Sequence, residues 1–473
     1  MYSGVIFILP ELVIAVMACF ILIFDLFVSS NKRYIIYYLA QGSFLFILFI
    51  LSYSMKVPKC ILFDGAFVFD SFSIFLKFLL ILIAFFVFLY SKKYLFLIDL
   101  FKSEYFVLCL LSILGMMILI SSGDFITFYL GLELLSLPLY SLIIMNKNYI
   151  SSEAAMKFFI MGSIASGLFL FGVSMVYGLT GLIELKGINY LITEGDIFSQ
   201  IGILYGLVFI FAGLVFKFGA VPFHMWVPDV YEGSPIPVTL FIGTVPKIAA
   251  LGMAYRLLSD TFSYVTNEIE FLCIISGVLS LFVGNIFALT QSNIKRLLGY
   301  SAIAHVGFIF FAFVGSNSNN FSIAMFYVFV YVFSSLGAFG VVMALSSKLK
   351  EAQFIFNFNG VGLIYPVFGI VMAIFLFSLA GIPPTAGFYA KFFVLKNLIS
   401  YGYIELVIFI LLLSVIGAYY YLKIIKAMFF NVSDNGVEIL GVSNFAFLLI
   451  LLNGAFILYV GMFPSYILQL CSL

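Results

Sequence analysis

Charged residues are scarce in this sequence. Only 9% of the 473 residues are charged, whereas 64% are hydrophobic and 19% are aromatic. A soluble domain carries about a quarter charged residues and does not need so large an apolar fraction. The sequence therefore predicts a membrane protein. Its formal net charge of +1 also excludes the electrostatic footprint of a nucleic-acid-binding protein.

Cysteine and histidine are scarce as well, and their spacing excludes the usual metal and redox motifs. No C-x-x-C pair occurs, so neither a zinc site, an iron-sulfur cluster nor a thioredoxin-like motif is indicated. The two histidines fall on different predicted helices and make a poor metal site. We therefore expect no cofactor and no metal in this chain. The cysteines are Cys19, Cys60, Cys109, Cys273 and Cys471.

What the sequence does contain is a series of apolar runs, each long enough to cross a bilayer as a helix. A span needs about 17 to 25 residues at a rise of about 1.5 Å per residue. Fourteen runs satisfy this, so we predict an all-α polytopic membrane protein of about 14 transmembrane helices. The runs are 4–29, 35–53, 72–91, 105–121, 124–143, 154–178, 200–229, 237–257, 269–290, 298–315, 321–346, 364–395, 402–427 and 444–467.

The basic residues indicate the orientation of the chain. Lysine and arginine are more numerous in the connections on one side, which predicts that both termini lie on the outer side of the membrane. Arg256 belongs to the smaller set of outer-side basic residues. Lys77 lies early in its span, and we expect it to snorkel to the interface. Four more lysines fall within spans: Lys157, Lys217, Lys247 and Lys391.

Two of the predicted helices, the seventh and the twelfth, are too long and are interrupted. The seventh carries FGAVP with Gly219 and Pro222, and the twelfth carries LAGIPP with Gly381, Pro383 and Pro384. Proline removes a backbone donor, so the freed carbonyls should face protein or water rather than lipid. A single proline kink is common in membrane helices. Two matched breaks, each near a lysine, favour a transporter built from internal repeats.

The two breaks do not make their lysines equivalent. Aligned as near copies, the segments set Phe218 against Leu379 and therefore Lys217 against Ser378. Lys217 precedes its break, whereas Lys391 follows its own. We therefore do not expect the two lysines to have identical roles.

Four charged residues lie deep in predicted spans: Glu133, Lys217, Lys247 and Lys391. An isolated charge at this depth costs at least about 3 kcal/mol, so these side chains should face the protein interior, pair, or meet water. Lysine suits a proton relay because burial and a nearby carboxylate change its proton affinity in opposite directions, whereas arginine stays charged. A static ion pair, above all between Glu133 and Lys217, is the alternative interpretation.

Other polar residues in or beside the spans have two interpretations each. Lys157 lies four residues after Glu153, so an intrahelical ion pair competes with a relay role. His224 and His305 could extend a lysine relay or make structural hydrogen bonds. Asp229 is either a solvated loop charge or a proton entry point.

With these residues identified, the sequence resembles the subunit N family of NADH-quinone oxidoreductase, respiratory complex I, whose mitochondrial counterpart is NADH dehydrogenase subunit 2. The resemblance covers essentially the whole chain. The segments that carry it are FYLGLELLSLPLY, KFGAVPFHMWVPDVYEGSPIPVT, KIAAL, KRLLGYSAIAHVGF and LAGIPPTAGFYAKFFV.

The resemblance implies an antiporter-like fold with two inverted five-helix repeats. On this sequence, it implies an N-terminal three-helix segment (1–103) and a first repeat of helices 4 to 8 (104–257). A second repeat of helices 9 to 13 (258–428) and a C-terminal helix 14 (429–473) follow.

The resemblance also implies a function, namely proton translocation driven by electron transfer from NADH to quinone. NADH, flavin, iron-sulfur clusters and quinone are then expected in partner subunits, which include sibling antiporter-like membrane subunits. A bacterial inner membrane is expected, with the mitochondrial inner membrane as the other location. The implied proton path runs along Glu133, Lys217, Lys247 and Lys391, with His305 and Lys157 in support.

Two other functions stay open from the sequence. The first is a stand-alone cation/proton antiporter subunit, against which the WVPDVYEGSP segment argues, since the related antiporters carry a different signature there. The second is a structural spacer whose buried charges form static pairs.

Overall fold

The structure is a computed structural model that describes residues 2–29, 32–55, 59–194, 197–315, 318–346, 351–432 and 441–471. These residues form helices, their connections and one two-stranded antiparallel hairpin. The hairpin joins β1 (Cys60–Leu62) to β2 (Phe67–Phe69) between the second and third helices.

The helices follow the order of the predicted spans. The N-terminal part of the described chain forms α1 (Tyr2–Asp25), α2 (Tyr34–Ser54), α3 (Ser71–Leu97), α4 (Ser103–Ser121), α5 (Phe125–Ile143), α6 (Tyr149–Thr180), α7 (Leu185–Glu194), α8 (Ile197–Phe218), α9 (Trp226–Gly233) and α10 (Ile236–Tyr255). The C-terminal part forms α11 (Thr266–Thr290), α12 (Ile294–Ala312), α13 (Ser318–Ala344), α14 (Val361–Ile364), α15 (Pro366–Ala380), α16 (Ala386–Ser400), α17 (Ile404–Phe430), α18 (Asn444–Met462) and α19 (Pro464–Cys471).

The prediction of an all-α polytopic membrane protein is confirmed. Thirteen helices among the described residues are long and apolar enough to cross a membrane. The predicted twelfth span is present as α15 and α16, which have 15 residues each and are separated by a break. Helices satisfy their own backbone groups, which is why long apolar segments take this form in lipid.

Both predicted helix breaks are present. α8 ends at Phe218 and α9 begins at Trp226, while α15 ends at Ala380 and α16 begins at Ala386. In each break a glycine follows the last helical residue in the left-handed conformation, with φ of 69° before α9 and 85° before α16, which glycine adopts without steric cost. Each break also contains a cis X-Pro bond.

The chain divides into two compact units. Unit 1 comprises Met1–Phe88, Asp99–Lys217 and Ile248–Thr266, and unit 2 comprises Leu89–Ile98, Phe218–Lys247 and Asn267–Leu473. The boundaries that the resemblance implies for the N-terminal segment, the two repeats and the C-terminal helix stay a prediction.

Unit 1 contains an ion-pair cluster around a fully buried arginine. Arg256 donates to both carboxylate oxygens of Asp70, at 2.8 and 2.9 Å, and to Asp260 at 2.8 Å. Its Nε atom also donates to the carbonyl oxygen of Ile120 at 3.0 Å. Arg256 is thus a buried, ion-paired residue at the end of α10, and its position on the outer side stays a prediction. The π-helical turn Arg256–Thr261 extends α10 and keeps the guanidinium inside, where two carboxylates neutralise it.

Unit 1 also contains a buried lysine pair. Lys77 is 1% exposed, and its Nζ atom lies 2.5 Å from Oε1 of Glu11 on α1 and 4.7 Å from the ring centroid of Phe67. The contact is a close, buried ion pair. The expectation that Lys77 snorkels was wrong, because α1 supplies a carboxylate next to it inside the protein.

Unit 2 holds a fixed lysine pair at the start of α12. Lys295 is 1% exposed and donates to Glu351 at 2.9 Å and to the carbonyl oxygen of Ser234 at 2.9 Å. The hydroxyl of Tyr94 donates to the other carboxylate oxygen of Glu351 at 3.0 Å. All polar atoms of this contact are satisfied, as a structural ion pair requires.

Candidate proton-transfer site

Glu133 and Lys217 lie in unit 1, and each is bonded to a serine. The ammonium of Lys217, in the last turn of α8, donates to Oγ of Ser136 on α5. Oε1 of Glu133 accepts a hydrogen bond of 2.6 Å from Ser166 on α6. Glu133 still acts electrostatically on Lys217. In the described part of unit 1, the two charges therefore interact without the direct ion pair of the alternative interpretation.

The position of Glu133 follows from the start of its helix. The side chain of Asp124 accepts from the backbone N–H of Thr127 at 2.6 Å and caps α5. Glu133 and Ser136 are three residues apart and thus share one helix face. This face presents the carboxylate to Ser166 on α6 and the hydroxyl to Lys217 on α8.

Lys247 lies in unit 2 and bonds the first helix break. Its side chain on α10 is 2% exposed, and Nζ donates to the carbonyl oxygen of Phe218, the last residue of α8. The backbone N–H of Val221 within the break donates to Oγ of Ser280 at 2.9 Å. The break therefore leaves a carbonyl oxygen without a partner in its own helix, and this oxygen accepts a hydrogen bond from the buried lysine.

Lys391 makes the same kind of contact at the second break. Its Nζ atom on α16 donates to the carbonyl oxygen of Ala380, the last residue of α15, at 2.7 Å. It also lies 5.2 Å from the ring centroid of Phe308. The C-terminal end of a helix carries a partial negative charge, so both half-helix ends favour an ammonium group. Lys391 thus resembles Lys247 in its contact.

Aligning the two breaks by their backbone conformation gives a different register from aligning them by sequence. Gly219 and Gly381 are the left-handed residues, and each directly follows the carbonyl that accepts the lysine. Aligning these glycines sets Lys217 against Leu379 rather than Ser378. The related lysines are therefore the two that bond half-helix carbonyls, and Lys217 has no lysine counterpart in the second break.

His305 is buried in unit 2 beside Lys391. Its Nδ1 atom lies 2.8 Å from the hydroxyl of Tyr327, and its Nε2 atom lies 3.1 Å from the hydroxyl of Tyr421. His305 and Lys391 line the same two small cavities. The imidazole is thus hydrogen-bonded on both sides and also faces the space next to the lysine, which agrees with either of its two interpretations.

The remaining candidates form local contacts. Lys157 pairs with Glu153 at 2.8 Å, with side chains 47% and 46% exposed, which is the intrahelical ion pair. Asp229 pairs with Arg296 of α12 at 3.1 Å and is thus an ion-paired residue rather than an isolated loop charge. His224 lies in the connection from α8 to α9.

Sequence reasoning missed several polar residues. Ser136 and Ser166 look like ordinary small residues in apolar helices, although Ser136 lies one helical turn after Glu133. Glu11 was visible as a carboxylate within the first apolar run. It should have been considered as a partner for Lys77.

Gly381→Ala should displace Lys391 and lower proton pumping about tenfold, because misplacing a reacting group by about 1 Å has effects of this size or larger. An added Cβ would lie 2.8 Å from Cδ and 3.3 Å from Cε of Lys391. The lysine side chain can move away, so the fold should survive a backbone cost of about 1–2 kcal/mol. The measurement is NADH-driven acidification of inverted membrane vesicles per assembled complex.

Gly402→Ala is the matched control for this prediction. Gly402 has φ of 87°, and an added Cβ there would meet nothing within 4 Å. It carries a similar backbone cost without touching a lysine. Equal pumping by the Gly381→Ala and Gly402→Ala proteins would contradict the predicted displacement.

The sequence and the fold match known proteins over nearly the whole chain. The family described as NADH:quinone oxidoreductase/Mrp antiporter, TM, matches residues 122–417. NADH-quinone oxidoreductase subunit N of Thioalkalivibrio sulfidiphilus (strain HL-EbGR7) is 43% identical over 468 residues, covering 98% of this chain and 97% of the relative. Subunit N of Coxiella burnetii is 40% identical over 469 residues, with coverage of 98% and 97%.

Solved structures agree with this result. A chain of respiratory complex I from Thermus thermophilus is 28% identical, with a TM-score of 0.83, covering 97% of this chain and 98% of that one. A chain of the Mrp complex from Dietzia sp. is 17% identical, with a TM-score of 0.82 and coverage of 98% and 96%, and shares the fold.

The fold and the family match thus define a membrane protein of the class shared by NADH:quinone oxidoreductases and Mrp antiporters. Within that class, the chain belongs to the subunit N family of NADH-quinone oxidoreductase. It is therefore an integral membrane subunit of a multi-subunit, proton-pumping oxidoreductase. No group of three or more His, Cys, Asp and Glu side chains within the described ranges is arranged to hold a metal ion.

Proposed function

We propose that this chain moves protons across the membrane through a relay of Glu133, Lys217, Lys247 and Lys391. The observation that carries the proposal is the pair of matched contacts at the helix breaks. Lys247 and Lys391 each donate to the last carbonyl of an interrupted helix. Such a carbonyl stabilises the ammonium, yet it forms no fixed ion pair that would have to break before a proton is released.

The proposed mechanism begins at Glu133 and Lys217. When the carboxylate moves closer, the ammonium of Lys217 is stabilised, and when it moves away the proton is released more readily. The proton passes through water to Lys247 and then to Lys391, with His305 accepting and donating through its two ring nitrogens. At each lysine an N–H bond breaks as the neighbouring water or side chain gains the proton.

The partners and location follow from the family. We propose that NADH, flavin, iron-sulfur clusters and quinone are bound by partner subunits and that sibling antiporter-like subunits adjoin this chain in the membrane. The basic residues of the connections support an orientation with both termini on the outer, periplasmic side of a bacterial inner membrane.

The inverted repeats at 104–257 and 258–428 are also proposed. Local features at matching places support them. Asp124 caps α5 and Asn293 caps α12, and each of these residues forms an isolated β-bridge, with Glu184 and Phe354 respectively. The two breaks add a second match, because in each a left-handed glycine follows a carbonyl that accepts a hydrogen bond from a lysine.

Glu133→Gln tests the proposed function. The amide keeps an acceptor for Ser166 but removes the negative charge that acts on Lys217. We expect the complex to assemble and its NADH-driven proton pumping to fall about tenfold. This is the size of effect expected from the loss of one charge interaction. Vesicle acidification is measured together with NADH oxidation and the amount of assembled complex.

The outcomes also separate the alternatives. A structural spacer tolerates Glu133→Gln, so wild-type pumping by this variant would remove the relay. A stand-alone cation/proton antiporter would not co-purify with NADH-quinone reductase activity. Purification through a tag on this chain, followed by an assay of NADH-quinone reductase activity, decides between a stand-alone antiporter and a subunit of the oxidoreductase.

A further inference from the structure

We infer that Ser136 and Ser166 are positioning residues that hold the Glu133 and Lys217 pair open. Ser136 binds the lysine and Ser166 binds the carboxylate, so that each charge has a partner other than its opposite. All four side chains belong to unit 1. The inference rests on the proposed function, because it names the groups that control the first step of the relay.

The hydroxyl of Ser136 is oriented to accept from the lysine. Ser136 is 2% exposed, and its Oγ atom donates to the carbonyl oxygen of Leu132 at 2.5 Å. A hydroxyl has one hydrogen and two lone pairs, so this bond leaves only acceptor capacity toward Lys217. An ammonium group has three donors and no acceptor, and it fits that position.

The contact of Ser166 fits an ionised carboxylate. Its hydroxyl donates to Oε1 of Glu133 over 2.6 Å. Distances of about 2.5–2.7 Å are typical of a hydroxyl that donates to a charged oxygen. The two serines therefore bind the charged forms of both partners while keeping them apart.

The serine bonds stabilise the open arrangement, because each hydroxyl binds one charge where it lies apart from its opposite. A hydrogen bond to a charged group changes a population ratio by about tenfold or more. Opposite charges in a low-dielectric interior attract strongly, so without the serines the closed pair would dominate. With the serine bonds, the open and closed arrangements are close enough in free energy for movements of partner subunits to switch the pair between them.

Ser136→Ala tests the inference. We expect Lys217 to move onto Glu133, with Nζ and a carboxylate oxygen within 4 Å in a high-resolution structure of the assembled complex. The rate of NADH-driven proton pumping per complex should fall about tenfold. Ser136→Thr keeps the hydroxyl and should restore most of the rate.

A matched control lies one turn from Ser166 on the same helix. Ser163 is exposed, and its hydroxyl donates to the carbonyl oxygen of Phe159 at 2.9 Å. Ser163→Ala should pump at the wild-type rate. Ser166→Ala should be impaired like Ser136→Ala, and it provides the test from the carboxylate side if the Ser136→Ala complex does not assemble.

Two results would overturn the inference. The first is wild-type pumping by both serine-to-alanine variants, and the second is a variant structure in which Lys217 stays away from Glu133. If Glu133→Gln is impaired while the serine variants are normal, the relay stands and only the serine assignment fails. If Glu133→Gln itself pumps normally, the proposed function fails.

Discussion

Lys247→Met should lower NADH-driven proton pumping at least about tenfold while the complex still assembles. The substitution removes a buried residue of the proposed relay, and proton transfer by a positioned side chain contributes about 10²–10⁴-fold in other systems. Methionine fills the space but leaves the Phe218 carbonyl oxygen without the donor it has here. An unsatisfied carbonyl costs about 1–3 kcal/mol, less than a typical stability of about 5–15 kcal/mol. Dye-based acidification of inverted vesicles gives the pumping rate per assembled complex.

Lys247→Arg separates proton exchange from simple capping of the helix end. Arginine can donate to the same carbonyl but does not release its proton near neutral pH. A relay therefore predicts that Lys247→Arg is as impaired as Lys247→Met, whereas a capping role predicts normal pumping. Lys295→Arg is the matched control, since Lys295 is equally buried but held in the ion pair with Glu351. Normal pumping by Lys247→Arg would exclude Lys247 from the relay.

The fold was largely predictable from composition and run length. Long apolar segments in a membrane protein form helices because lipid offers no hydrogen-bond partners, and glycine with proline marked both breaks. Helix ends were less predictable, since capping extends a helix beyond its apolar run. The sixth span was predicted from residue 154, but α6 begins at Tyr149, where Asn148 accepts from the backbone N–H of Ser151 at 2.7 Å.

The site was predictable in residue type but not in geometry. Depth in an apolar run identified Glu133, Lys217 and the two lysines at the breaks, because charge at that depth is costly. Which partner each charge binds depends on differences of about 1 Å in the distances between side chains on neighbouring helices. The sequence carries no such information. For the same reason Lys77 was expected to snorkel to the interface, although it is buried against Glu11.

Arg256→Met should lower the accumulation of the folded subunit several-fold. The guanidinium bonds Asp70 through two nitrogens and Asp260 through one, and removing it leaves both carboxylates without their cation. Breaking a buried ion pair from one side costs about 3–5 kcal/mol, a large part of a typical stability of about 5–15 kcal/mol. Immunoblots of membranes should show several-fold less subunit, and the purified complex should unfold at a lower temperature.

Arg296→Met is the matched control for this loss of stability. Arg296 also pairs with two carboxylates, Asp229 at 3.1 Å and Glu232 at 2.7 Å, but its side chain is 32% exposed. Water can solvate the carboxylates left behind, so the cost should stay below about 1 kcal/mol. Adding Asp70→Asn to Arg256→Met removes one of the two buried charges and should recover part of the lost subunit. If Arg256→Met and Arg296→Met accumulate alike, burial does not decide the strength of these clusters, and the Arg256 cluster is not what stabilises unit 1.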